Sequence, residues 1–160
     1  MSDEIYAGLL LTKMKNKRRV YLLAHPGGPF FARQNEGIWS LPKGKRDKNE
    51  DILMTAYRAF RETIGAFSPS SDAMILLGHT RLKSGREIYA FLAEGDFIAS
   101  SQKSKMYEAQ WPPNSQRLQK FPKVDRSNWF SGEKSKRMLH PSQTLFIDRA
   151  EAALLDEAPS

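Results

Sequence analysis

The residues able to do chemistry concentrate between Leu41 and Ala66, LPKGKRDKNEDILMTAYRAFRETIGA. A short apolar strand runs into Pro42-Lys43-Gly44, a polar loop follows, and an amphipathic helix ends at Gly65. Ile52, Leu53, Ala56, Tyr57, Phe60 and Ile64 fall on one helical face, which must pack on a core. Glu50 and Asp51 stand at its start, where acidic side chains suit the helix dipole, and Gly65 is a natural stop. A loop feeding a helix N-terminus presents unpaired N–H groups to an anion. Phosphate chemistry fits that arrangement, although the signal alone is unspecific.

The spacing says more. Gly44, five residues, Glu50, seven residues, Arg58, then apolar Phe60, Glu62 and Gly65 resemble the Nudix box, G-x5-E-x7-R-E-U-x-E-E-x-G-U, U being a bulky aliphatic residue. Phe60 fits U loosely and Ala66 is small for the last U. In that family the box is a loop-helix-loop whose helix carboxylates hold Mg²⁺ or Mn²⁺ against a diphosphate. Its enzymes cleave nucleoside diphosphates linked to another group. This chain departs from the pattern at Ala59 and Thr63, both glutamate in the box. Positions 59, 62 and 63 lie within a stripe about 100° wide, where three carboxylates would form a hard oxygen site. Only Glu62 remains there.

The resemblance extends over most of Ile5 to Leu155. His25-Pro-Gly-Gly-Pro-Phe, Trp39-Ser-Leu-Pro-Lys-Gly, Trp111-Pro-Pro, Phe121-Pro-Lys-Val-Asp-Arg and Trp129-Phe130 are similar to one bacterial Nudix subgroup. It implies Glu62 as metal ligand and catalytic base, with the Gly44 carbonyl as a further ligand. Glu50, Arg58 and Gly65 become structural, Arg58 holding Glu50 or the loop backbone and Glu50 capping the helix. Related sequences carry acid where this chain has Lys45, Lys120 and Lys123. Those lysines are the expected phosphate contacts, because an ammonium meets phosphate as a point charge. Asp125 is a minor candidate ligand. Trp39, Phe30 and Phe31 either stack on a nucleobase or pack in the core, and Gly27-Gly28 is either a surface turn or a ligand contact.

Charge agrees with an anionic ligand, yet also with an ordinary solvated basic surface: 160 residues carry a net +7. No nucleic-acid motif accompanies that charge, so nucleic acid is an unsupported partner beside a nucleotide or other small diphosphate. Absence of cysteine excludes disulfides and Cys-based zinc sites. The longest apolar run, Ile5 to Leu11, is far short of the roughly 20 residues a membrane span needs. MSDEI is acidic where a secretory signal is basic, which makes cytoplasm the expected location. His25, His79 and His140 lack metal-ligand spacing and read as structural or surface residues. The serines fit no nucleophile elbow.

Along the chain, Ile5–Leu11, Arg19–Ala24, Ile38–Leu41, Ala73–Thr80 and Glu87–Ala93 read as strands, with helix from Glu50 to Ile64. Lys83 to Arg86 reads as a hairpin turn, and the apolar run Ile88 to Leu92 as a strand covered on both faces. Asp96 to Gln110 reads as an irregular loop, Phe121 to Phe130 as holding one short strand, and Gly132 to Leu139 as a short helix. Pro141 opens the last helix. The order implies an α/β class in layers, and the resemblance implies the Nudix fold, a mixed sheet between helices. One domain over 1–155 and a frayed tail over 156–160 are expected. The implied function is pyrophosphate hydrolysis of nucleoside diphosphate-linked compounds at a weakened Mg²⁺ or Mn²⁺ site, the alternative being an inactive binder of nucleotide phosphates.

Overall fold

A computed structural model of the chain describes residues 4–98 and 102–157. β1 (Ile5–Lys15) and β2 (Arg18–Pro26) form a hairpin, and β3 (Lys43–Lys45) pairs antiparallel with the start of β1. α1 (Ile52–Thr63) leads into β4 (Phe67–Arg81) and β5 (Glu87–Phe97). β6 (Met106–Gln110) and β7 (Leu118–Pro122) make a separate small hairpin. β8 (Val124–Ser131), α2 (Gly132–Met138), a 3₁₀ turn at Pro141–Gln143 and α3 (Leu145–Glu157) follow. The main sheet runs β4-β5-β1-β2-β8, parallel only between β1 and β5, with β3 attached beside β1.

Strand periodicity explains the layers. Successive side chains point to opposite faces, so a strand covered on both sides must be apolar throughout. In β1, Leu10 joins Leu23, Trp39, Phe146 and Ile147 on the α3 side, while Leu9 and Leu11 join Leu22, Phe60 and Ile64 on the α1 side. The sheet is therefore packed between helices. The expected double cover of Ile88 to Leu92 is only partial, since Ile88, Ala90 and Leu92 are buried but Tyr89 and Phe91 on the opposite face are half-buried. The Lys83–Arg86 turn closes on Gly85 with φ +93°.

Several local expectations change. Ile38 to Leu41 is not a strand: Trp39 bridges Leu139 and Ser40 bridges Ala24 singly. Trp39 and Ser40 spend their backbone groups on different elements, and Pro42 has no N–H with which to extend a ladder. The helix starts at Ile52 rather than Glu50, because Asp51 is the N-cap and accepts from the Leu53 N–H. Its buried stripe is also rotated. Thr55, Ala59 and Thr63 are buried with Ala56 and Phe60, whereas Ile52, Leu53 and Tyr57 are half-buried. Small side chains on that side let β3 come close: a Cβ on Gly44 would lie 2.9 Å from the Ala59 Cβ.

The polar stretch from Asp96 holds the end of β5 and all of β6, and Phe121 to Phe130 contains parts of two strands separated at Lys123. Alternating burial in β6 marks it as a strand despite its polarity. Pro141 opens the 3₁₀ turn, and the last helix begins at Leu145. α3 extends to Glu157, so it includes two residues of the expected tail; 158–160 lie outside the described residues.

Candidate phosphate site

Arg58 organises the loop between β3 and α1. Its Nε donates to Glu50 Oε2 at 2.9 Å and its Nη2 to Glu50 Oε1 at 2.8 Å, a two-pronged pair. Nη2 also donates to the Lys45 carbonyl at 2.7 Å, and Nη1 reaches Glu62 Oε2 at 3.3 Å. Glu50 Oε1 further accepts from the Thr55 hydroxyl at 2.7 Å and the Asp47 N–H at 3.1 Å. Arg58 and Thr55 hold the Glu50 carboxyl at about 2, against desolvation that opposes them. The same pair raises the Arg58 pKa. Glu50 is thus the anchor of the loop and not the helix cap, which is Asp51. Gly65, with φ +131°, ends the turn and donates its N–H to the Phe60 carbonyl.

Beside this clamp lies a cavity of about 410 Å³. Tyr6, Lys43, Gly44, Lys45, Thr63 and Lys123 are among its lining residues, and no described acidic residue lines it. Lys45 is exposed at the rim, with Nζ 3.5 Å from Glu4 Oε1. Lys123 is placed by its own backbone: its N–H donates to the Lys105 carbonyl and its carbonyl accepts from Gly27. Lys43 is half-buried with Nζ 4.9 Å from the centre of the Tyr6 ring. Burial, then Arg86 and Lys123, lower its pKa. Sequence reasoning misses Lys43, whose signal is a cation directly before the box glycine, following an apolar run.

The other predicted residues divide. Gly44, Lys45 and Lys123 come together at the cavity. Lys120 does not: it is exposed on β7, opposite Glu108. Glu62 is half-buried and turned toward Arg58, outside the cavity lining. Ala59 is buried, and the Thr63 hydroxyl donates to the Ala59 carbonyl at 2.7 Å. Asp125 is committed to His25, whose Nδ1 lies 2.8 Å from Oδ1 while Nε2 lies 2.8 Å from the Gln34 carbonyl. Trp39 is core, edge-on to His25 and Phe130. Phe30 is exposed and meets Trp111 edge to face, and Phe31 is exposed. Gly27 serves close packing, since a Cβ there would sit 2.0 Å from the Pro122 carbonyl oxygen. His79 stacks on Tyr89, and His140 caps the 3₁₀ turn.

This donor set does not suit a divalent cation. Mg²⁺ and Mn²⁺ take oxygen ligands, yet no cluster of three His, Cys, Asp or Glu suited to a metal occurs among the described residues. Glu62, the one carboxylate at positions 59, 62 and 63, already faces a guanidinium. The cavity instead offers ammonium groups and suits an anion.

No family model matches the sequence, and comparison with curated proteins finds no matching sequence. Solved structures do match. C. elegans Ap4A hydrolase in a binary complex is 16% identical with a TM-score of 0.63, over 94% of this chain and 98% of that one. The Nudix domain of Shewanella oneidensis NrtR, complexed with ADP ribose, is 17% identical with a TM-score of 0.65, over 96% and 90%. The MutT protein of Methanosarcina mazei is 18% identical with a TM-score of 0.59, over 94% of each chain. The chain has the Nudix fold.

Proposed function

We propose that the protein binds the phosphates of a nucleoside diphosphate-linked compound through lysines, with pyrophosphate hydrolysis reduced to a residual activity. The observation that carries this reading is the cavity beside the box, lined by Lys43, Lys45 and Lys123 with no described carboxylate. The fold supports the diphosphate class: the ligand named for the NrtR domain is ADP ribose, and the C. elegans neighbour is an Ap4A hydrolase.

An ammonium about 4 Å from a unit phosphate charge gains roughly 4 kcal/mol at an effective dielectric of 20, before desolvation. Two such contacts favour binding of a diphosphate without Mg²⁺. They stabilise charge already present but generate no hydroxide nucleophile, so binding outlasts catalysis. Glu62 is the residue on which any residual hydrolysis depends, as the one carboxylate left at positions 59, 62 and 63.

Calorimetric titration with ADP-ribose and ATP, in EDTA and in Mg²⁺ at two salt concentrations, tests this. The expected result is binding in EDTA that weakens with salt. Binding confined to Mg²⁺, or Mg²⁺-dependent turnover near the common enzyme scale of roughly 10 s⁻¹, overturns it.

A further inference from the structure

Tyr21 carries a buried hydroxyl that the fold leaves unpaired. The residue is 1% exposed, and its hydroxyl makes no hydrogen bond to any described residue. Buried polar groups are nearly always paired, because an unmet one costs its full desolvation. Strand alternation sets Tyr21 with Leu23 on the α3 face of β2. There it lines a second cavity, of about 310 Å³, together with Arg19, Gly132, Glu151, Leu154 and Leu155. None of these residues lines the lysine cavity. Arg19 shares the Tyr21 face, and its Nη1 rests 3.4 Å from the Thr12 hydroxyl and 3.5 Å from Glu94. Its Nε and Nη2 make no hydrogen bond to a described residue. Glu151 lies on α3 and likewise has no hydrogen bond or ion pair with a described residue. A Cβ on Gly132 would fall 2.5 Å from Glu151 Oε1, so the glycine leaves that carboxylate its room. Burial and then Glu151 push the Tyr21 hydroxyl up to about 12, while Arg19 pulls it down, so both charges act on this oxygen. It stays protonated at neutral pH, able to donate and to accept.

We propose that this second cavity binds a free α-amino acid with an apolar side chain, its carboxylate held by Arg19 and Tyr21 and its ammonium by Glu151. The free guanidinium donors form the fork that suits a carboxylate. The Tyr21 hydroxyl donates to the same carboxylate and so gains the partner it lacks. Glu151 offers the ammonium an unpaired acceptor. Leu154 and Leu155, the latter 76% exposed, give the ligand side chain an apolar wall. The mixed charge of the lining selects a zwitterion. A simple anion would meet Glu151 as a like charge, and a simple amine would meet Arg19 in the same way.

The probe is L-leucine. Isocaproate, which lacks the ammonium, and isoamylamine, which lacks the carboxylate, are its controls. Each is titrated into the full chain and followed by backbone amide NMR shifts. L-leucine should move the amides of Gly132 and Glu151 but not those of Gly44 and Lys45, with a dissociation constant below about 1 mM. Both controls should bind at least about tenfold more weakly, the scale of one charged contact. Glu151→Gln and Tyr21→Phe should each weaken L-leucine by about tenfold, with the remaining amide spectrum reporting that the variants fold. Without L-leucine, Tyr21→Phe should melt no lower than the unmodified protein, because it deletes an unpaired group rather than a bond. L-leucine that leaves Gly132 and Glu151 unmoved, or a control that binds equally well, overturns the proposal. So does a Tyr21→Phe variant that melts lower yet binds L-leucine as before, since the hydroxyl would then serve the fold alone.

Discussion

Arg58 grips Glu50 with two parallel hydrogen bonds, Nε to Oε2 at 2.9 Å and Nη2 to Oε1 at 2.8 Å, across eight residues of chain. The pair closes the loop that carries Lys45 onto the first two turns of α1, and the Lys45 carbonyl is bound by the same guanidinium. Loop shape is thereby fixed by the chain's own side chains.

The clamp has a defined pH signature. Glu50 titrates at about 2 in the folded chain rather than near 4.5, so its contribution is complete above the unfolded value and disappears as pH falls through the folded one. Glu50→Gln should lower the melting temperature at neutral pH, and the gap to the unmodified protein should narrow between pH 4.5 and pH 2. Melting curves followed by circular dichroism across that range check this. A gap independent of pH would mean that ionisation of Glu50 contributes nothing.

Gly44 and Ala59 are matched in size. A Cβ on Gly44 would fall 2.9 Å from the Ala59 Cβ, and Ala59 is 1% exposed with no room to retreat. Gly44→Ala should cost about 1–3 kcal/mol, the usual range for overpacking. Adding Ala59→Gly should relieve the clash, less about 1 kcal/mol for glycine within a helix. A denaturant double-mutant cycle gives the coupling. Strictly additive effects would show that the two residues do not meet.

That contact also shows where the sequence stopped being informative. Local rules located the strands β1 and β2, the Gly85 turn and the existence of α1, because apolar strand runs, turn glycine and helical period are all short-range signals. The helical face was misplaced because apolarity, not size, defined it. Thr55, Ala59 and Thr63 are buried by the approach of β3, a tertiary fact. At the site, the resemblance implied that Arg58 holds Glu50 or the loop backbone, and its guanidinium holds both. Proximity of Lys43 and Lys123, some eighty residues apart in sequence, arises only from sheet topology. Lys120 and Lys123 flank the same Phe-Pro turn in the sequence, yet strand alternation and the end of β7 send them to different surfaces.

Those two lysines therefore make a matched pair of tests. Lys123→Glu puts an anion at the cavity and should weaken pyrophosphate binding in EDTA by roughly tenfold or more. Lys120→Glu makes the same formal charge change on the exposed face of the β6–β7 hairpin, where solvent and salt screen it. Its effect should be less than about threefold at physiological salt. Calorimetry on both variants decides the matter. Equal losses would assign the binding to general surface charge rather than to the cavity.

Glutamate at positions 59 and 63 would complete the box pattern that this chain lacks. Thr63 lines the cavity and is 7% exposed, so Thr63→Glu directs a carboxylate toward the lysines. Ala59→Glu has less room, because the Ala59 Cβ faces Gly44, and it requires the loop to move. Thr63→Glu alone should lower EDTA-resistant affinity for pyrophosphate, since an anion now competes for the same ammonium groups. Combining Ala59→Glu with Thr63→Glu adds two carboxylates beside Glu62, the oxygen-rich set that Mg²⁺ prefers. The melting temperature of this double variant should rise on adding Mg²⁺, an effect absent from the unmodified protein, by the stabilisation that any ligand of the folded state provides. Mg²⁺-dependent release of nucleotide from ADP-ribose should rise with it. Thermal melts with and without Mg²⁺, followed by chromatographic measurement of the AMP released, separate folding from function. A folded double variant with no Mg²⁺ response would show that the lost carboxylates are not what keeps metal from this site.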